Sequence, residues 1–147
     1  PDQIYSTVTL IDFGSAMRTN KLQKVTHKTE WWSHASQENH KDRAHPGQDW
    51  FSVGRLVTLL LLGLDDTGRG RKTVESIAHD GKLRSKLQDS LSRQFEIFRN
   101  HYGKPVEQVD DSNIISQILD LLVESYDDNS DLARLESLAK SMDSWFI

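Results

Sequence analysis

Two carboxylates in this chain stand where an acidic side chain can do chemistry. The first is Asp12, which closes the run Thr7-Val8-Thr9-Leu10-Ile11 and precedes Phe13-Gly14-Ser15-Ala16. β-Branched and apolar residues in such a run suit a short, largely buried strand. Asp12 then falls where the strand stops, and Gly14 gives the backbone the freedom to turn. A carboxylate held at the mouth of a strand is placed to ligate a hard cation such as Mg²⁺, which takes oxygen ligands and keeps several waters. The second is Asp49, which leads into Trp50-Phe51-Ser52-Val53-Gly54. It opens an apolar run and suits a helix N-terminus, where the helix dipole favours negative charge. By itself Asp49 reads as an ordinary N-cap.

Three other groupings have suggestive composition and weaker chemistry. His27, His34, His40 and His45 fall close together, but they match no His-Glu-x-x-His spacing and the chain has no cysteine. They read as loop hydrogen bonders rather than zinc ligands. Asp127-Asp128-Asn129-Ser130-Asp131 has the composition of a calcium loop without its Gly and distal Glu, and reads as a capped helix junction. Gly68-Arg69-Gly70-Arg71 is a basic turn and matches no phosphate-binding loop.

The elements that position these groups follow from the pattern of apolar residues. Residues 4–13 read as an extended segment that needs a strand partner, because a lone strand leaves its backbone groups unpaired. Residues 18–29 form a polar loop with Arg18, Lys21, Lys24, His27 and Lys28. It is either a solvated loop or a segment that receives an acidic or phosphorylated partner, with Thr19, Thr26 and Thr29 as modifiable hydroxyls. Trp31 and Trp32 point to opposite sides of an extended chain, so at least one anchors this loop on the core. His45-Pro46-Gly47 signals a turn, and a new unit begins at Gln48 or Asp49. From Trp50 to Leu64 the residues are apolar nearly all round, which predicts a buried central helix with Gly63 near its C-terminal end.

Residues 65–71 read as a turn-rich linker and 72–78 as a short helix. Lys82 to Asn100 is an amphipathic helix, with Leu83, Leu87, Leu91, Phe95 and Phe98 on one face. Asp111 or Ser112 caps a further helix with Ile114, Ile115, Ile118, Leu119 and Leu122 inward. Asn129 or Ser130 caps the last, with Leu132, Leu135, Leu138 and Met142 inward and Trp145 and Phe146 stapling the tail. The expected architecture is mainly α with a small β element at the front, in one domain.

Composition sets the outer bounds. A chain of 147 residues suits a single core. The formal net charge of −4 argues against a dedicated nucleic-acid binder. The absence of cysteine excludes a disulfide scaffold and is compatible with a cytoplasmic or nuclear location. No apolar run reaches the length of a membrane span, and no signal-peptide pattern opens the sequence. Pro1-Asp2-Gln3 reads as the interior of a turn, so the chain is expected to be one piece of a longer protein.

With both landmarks in view, the sequence resembles the C-terminal lobe of the protein kinase superfamily. Asp12-Phe13-Gly14 is similar to the kinase segment whose Asp holds Mg²⁺ on ATP. Asp49, Ser52 and Gly54 match the Asp-x-Trp-Ser-x-Gly that opens the central helix of that lobe, with Phe51 in place of Trp. Between them, Thr29 followed by Ala35-Ser36-x-x-x-His40 resembles the casein kinase 1 group. The resemblance covers Val8 to about Leu64. It implies a strand and metal segment over 4–16, an activation segment over 17–47, a buried central helix over 48–64, and lower helices over 72–147. It further implies ATP and Mg²⁺ as cofactors, held through Asp12 with Phe13 and Gly14 as the switch beside it. Thr29, Trp32 and Ser36 belong to the substrate or activation segment, and Asp49 braces the catalytic loop.

The departures are large. The sequence lacks a Gly-rich loop, a Val-Ala-Ile-Lys strand and a His-Arg-Asp loop, and Lys28 stands where a Gly usually precedes the Thr. The base and the lysine are therefore expected upstream of Pro1. The function expected from the resemblance is the C-terminal part of a Ser/Thr protein kinase, acting on a protein substrate. The alternative is a truncated or pseudokinase module that binds a regulatory protein partner.

Overall fold

The computed structural model of the chain describes residues 9, 29–37, 44–102, 111–127 and 130–142. Among the described residues five α-helices carry the fold: α1 (Pro46–Leu62), α2 (Gly68–Ser76), α3 (Gly81–Tyr102), α4 (Asp111–Glu124) and α5 (Leu132–Ser141). A short 3-10 turn at Ala35–Gln37 precedes α1, and another at Ile77–His79 joins α2 to α3. The chain is mainly helical, and there is no strand among the described residues. The expected front strand lies outside the described residues, save Thr9, which is exposed and irregular.

Helix α1 is the pillar, packed against α2, α3, α4 and α5. It begins earlier than expected. His45 is its N-cap, with Nδ1 accepting the Gly47 N–H at 2.9 Å while Gln48 Oε1 accepts the His45 N–H at 3.1 Å. Pro46 and Gly47 thus form the first turn of the helix rather than a break before it. Proline is tolerated there because its missing N–H has no helical partner to lose. Gly63 ends the helix in the left-handed region at φ 62°, its N–H closing on Leu59 and Leu60 carbonyls, as expected of a C-cap glycine.

The amphipathic reading of the later helices agrees with the burial. Leu87, Leu91 and Phe95 of α3 are buried, as are Ile114, Leu119 and Leu122 of α4 and Leu135 of α5. Leu59, Val74, Ile77, Leu87, Leu91, Leu119, Leu122 and Tyr126 form the main core cluster, and Phe51, Leu121 and Leu135 form a second. Burying each such side chain contributes about 1.5–3 kcal/mol.

Two boundaries differ from the expectation. Helix α2 starts at Gly68, inside the expected linker, because the Thr67 hydroxyl caps it at the Gly70 N–H. The cap of α5 is Asp131, whose Oδ1 accepts from Ala133 and Arg134 N–H at 2.9 and 3.3 Å, rather than Asn129 or Ser130. A third difference concerns α1 itself: it is not buried all round, for Trp50, Val53, Leu56 and Leu60 are exposed.

Tyr126 follows α4 and is buried against Thr58 of α1, with 3.4 Å between the hydroxyls. Burial pushes its phenol up to about 12 from an ordinary 10.0. The folded state therefore keeps its proton where the unfolded chain loses it, and stability falls as pH rises through 10 towards 12. The expected loss is about 2–3 kcal/mol over that interval, at about 1.4 kcal/mol per unit. Urea unfolding between pH 9 and 12 measures it, and the Tyr126→Phe variant should lack that part of the decline.

Candidate functional site: a segment strapped along α1

Three side chains of α1 reach for the same stretch of backbone. Gln48, Ser52 and Arg55 lie four and three residues apart, so one face of the helix carries all of them. Gln48 Nε2 donates to Ser36 Oγ at 3.0 Å, and Ser52 Oγ donates to the Trp32 carbonyl at 2.6 Å. Arg55 Nη1 donates to the Trp31 carbonyl. As α1 climbs from 48 to 55 its contacts descend from 36 to 31, so the segment runs antiparallel along the helix.

Arg55 is the centre of this arrangement. It is fully buried, and its guanidinium also donates to the carbonyls of Ser125 (3.0 Å) and Tyr126 (3.3 Å) beyond α4. Its Cζ lies 4.7 Å from the Trp31 ring centroid and 4.3 Å from that of Phe51. A planar, weakly hydrated cation suits this site because its fork serves several acceptors while its faces stack on aromatic rings.

Trp31 has further partners on α2. Arg71 Cζ also lies over its ring, 5.2 Å from the centroid, and its indole N–H donates to Glu75 Oε1 at 2.9 Å. Arg71 in turn pairs with Asp66 at 2.6 Å and holds that carboxyl below its ordinary range, with the Trp32 side chain a further donor to it. Both tryptophans thus pack on the main core cluster, as the anchoring role expected of them requires. Trp31 adopts φ 64°, a left-handed conformation that a bulky side chain takes up at a cost of about 1–3 kcal/mol.

His34 ties the segment to the start of α5. Its Nδ1 accepts the Ser36 backbone N–H at 3.1 Å, and its Nε2 lies 2.8 Å from the Ser130 carbonyl. A backbone N–H can only donate, so Nδ1 is bare and the ring is the neutral tautomer with its proton on Nε2. Ser36 Oγ, 2.9 Å from Nδ1, sits between His34 and Gln48.

The residues singled out in the sequence fall as follows. Asp12, Phe13, Gly14 and His40 lie outside the described residues. Thr29 is exposed, and its backbone exchanges hydrogen bonds with Ser33. Trp32 and Ser36 lie within the strapped segment. Asp49 sits in the first turn of α1, exposed by surface area. Its carboxylate has no hydrogen bond or ion pair among the described residues, and desolvation raises its pKa. Ser52 fixes the segment. Gly54 lets α1 approach α4 and Ser125 closely: a Cβ there would lie 2.1 Å from Ser125 Oγ. Of the three residues matching the Asp-x-Trp-Ser-x-Gly pattern, Ser52 and Gly54 thus have separate packing roles, and Asp49 has no partner among the described residues.

Sequence reading missed Arg55, Gln48 and the joining role of His34. Arg55 did leave a signal, as the one charged residue in the interior of an apolar helix, where charge is rarely found unless it is paired. No group of three or more His, Cys, Asp or Glu side chains among the described residues could hold a metal ion. No helix among them is long and apolar enough to cross a membrane. Compared with family models, with curated proteins and with solved structures, the chain matches none.

Proposed function

We propose that this chain is the helical platform of a Ser/Thr protein-kinase-like domain, nearest the casein kinase 1 group. In this reading the 29–37 segment, with Thr29, Trp32 and Ser36, is the part of the activation segment that faces a protein substrate. Asp12 holds the Mg²⁺ of ATP, Phe13 and Gly14 flank it, and the base and the lysine come from sequence upstream. The observation that carries the reading is the placing of Asp49. It is an exposed carboxylate without a partner among the described residues, in the first turn of the same helix that straps the segment down. Such a group favours backbone N–H donors from a loop that lies over it. The chain's own residues supply rigidity: Gln48, Ser52 and Arg55 fix the segment, and positioning of this kind is most of what phosphoryl transfer asks of a protein.

The test is the Asp12→Asn variant of the full-length protein. Mg·ATP-dependent phosphate transfer to a protein substrate should fall by about 10³-fold, the scale of removing a group that stabilises transition-state charge. Transfer at the unmodified rate would take Asp12 out of the mechanism. The second reading, a non-catalytic module that binds a protein partner, is favoured by the uncovered apolar face of α1.

A further inference from the structure

The two halves of the strapped segment lean on different neighbours. His34 and Ser36 are tied to Gln48 of α1 and to the Ser130 carbonyl before α5, and the His34 ring meets that of Phe51 edge-on at 5.2 Å. The backbone of Trp31 and Trp32 is held to α1 by Arg55 and Ser52, but their side chains reach α2 and the residues that lead into it. Glu75 accepts the Trp31 indole N–H, and Arg71 lies over the same ring. Asp66, paired with Arg71, accepts from the Trp32 side chain.

Helix α2 has little else to hold it. Its 9 residues fall short of the roughly 12 below which an isolated helix is marginal in water, and Gly68 and Gly70 are poor helix formers. Its buried residues are Gly70 and Val74, of which only Val74 brings an apolar side chain to the core, joined by Ile77 just beyond the helix. Helix α1, in contrast, buries Phe51, Arg55, Thr58 and Leu59. Elements with few buried contacts open at a lower free-energy cost than the rest of a fold, and they open as contiguous units.

We infer that α2 and residues 29–33 form one cooperative unit that opens and closes together, while residues 34–37 stay with α1 and α5. Trp31 is the joint, with Arg55 Cζ 4.7 Å and Arg71 Cζ 5.2 Å from its ring centroid. Coupling of this kind is reciprocal: whatever steadies α2 steadies the Trp31 turn, and whatever loosens that turn loosens α2 by the same factor. The fold thus carries a conformational relay between stretches 44 positions apart, from a surface helix to the segment that α1 straps down. The relay goes beyond the phosphoryl-transfer reading, needs no nucleotide, and stands or falls separately from the Asp12 test.

Amide hydrogen exchange of the chain, followed residue by residue by NMR, tests it. Each half of the segment has a reporter, for the Ser33 N–H is closed on the Thr29 carbonyl and the Gln37 N–H on the His34 carbonyl, both at 2.9 Å. Thr67→Ala removes the cap of α2 without touching the segment, and should speed exchange of the α2 amides by about fivefold. Ser33 should speed by the same factor, with Gln37 and the α1 amides unchanged. Ser52→Ala frees the Trp32 carbonyl from α1, and should speed Ser33 and the α2 amides alike. Removing the ties with Arg71→Ala and Glu75→Ala together, neither side chain being buried, should uncouple the unit. In that background Thr67→Ala should still speed α2 and leave Ser33 as it was. Acceleration of α2 without Ser33 in the parent background overturns the proposal, as does an α2 that Thr67→Ala or Ser52→Ala leaves unchanged. Equal acceleration of Gln37 and the α1 amides would assign the opening to the whole fold, and also overturns it.

Discussion

Replacing Arg55 with methionine should destabilise the folded chain by about 3–5 kcal/mol, the scale of leaving three carbonyl acceptors without their donor at once. Methionine fills much of the same volume and keeps some contact with Phe51 and Trp31. It offers no donor, so the carbonyls of Trp31, Ser125 and Tyr126 lose theirs together. Each buried acceptor left short costs about 1–3 kcal/mol, and the two ring contacts add to this. Arg55→Lys should recover little, because an ammonium is a point donor and cannot serve the segment and the far end of α4 at once. Urea midpoints of the three proteins measure the effect. A methionine variant within about 1 kcal/mol of the parent would mean that the guanidinium is not the clamp described here.

The second large effect is expected at Gly47. A Cβ at this position would lie 2.4 Å from the Leu132 carbonyl oxygen and 2.9 Å from that residue's carbonyl carbon and Cα. All three are main-chain atoms at the start of α5, so no rotamer change can clear them. Gly47→Ala must push the first turns of α1 and α5 apart, and overpacking of this kind costs about 1–3 kcal/mol. In a chain of this size that is a fall in Tm of about 3–10 °C. The neighbouring tie between His45 and Glu136, 3.4 Å across the same junction, would be stretched as well. Gly68→Ala is the control. It lies in the first turn of α2 with open space at its Cβ, so the same substitution should be neutral or slightly stabilising. Thermal unfolding of the pair separates steric exclusion from general glycine effects.

These two residues also mark how far the sequence could be read. Helices α3, α4 and α5 were legible because each carries one apolar stripe at helical spacing, and burial follows the stripe. Pro46-Gly47 was not, because the same dipeptide serves a turn or a helix start. The choice is made by the His45 side chain and by a carbonyl 85 residues on, neither of which is a local signal. Helix α1 was legible as the pillar but not as a helix with an open side. Its composition counts apolar residues without saying which of them find a partner. Arg55 was passed over for the converse reason: a charge in an apolar helix looks like a defect until its acceptors, drawn from residues 31, 125 and 126, are known. Of the two carboxylates that organised the sequence reading, Asp49 is placed at the head of α1 and Asp12 lies outside the described residues.

Trp31 gives the strap its mechanical character. Its left-handed backbone is held by the grip of Arg55 and Arg71 on its ring and by Glu75 on its indole nitrogen. Arg55 alone touches both the ring and the carbonyl of this residue, so the cost of its left-handed backbone is offset chiefly where one buried guanidinium meets it, while Ser52 and Gln48 hold the segment further along, at Trp32 and Ser36.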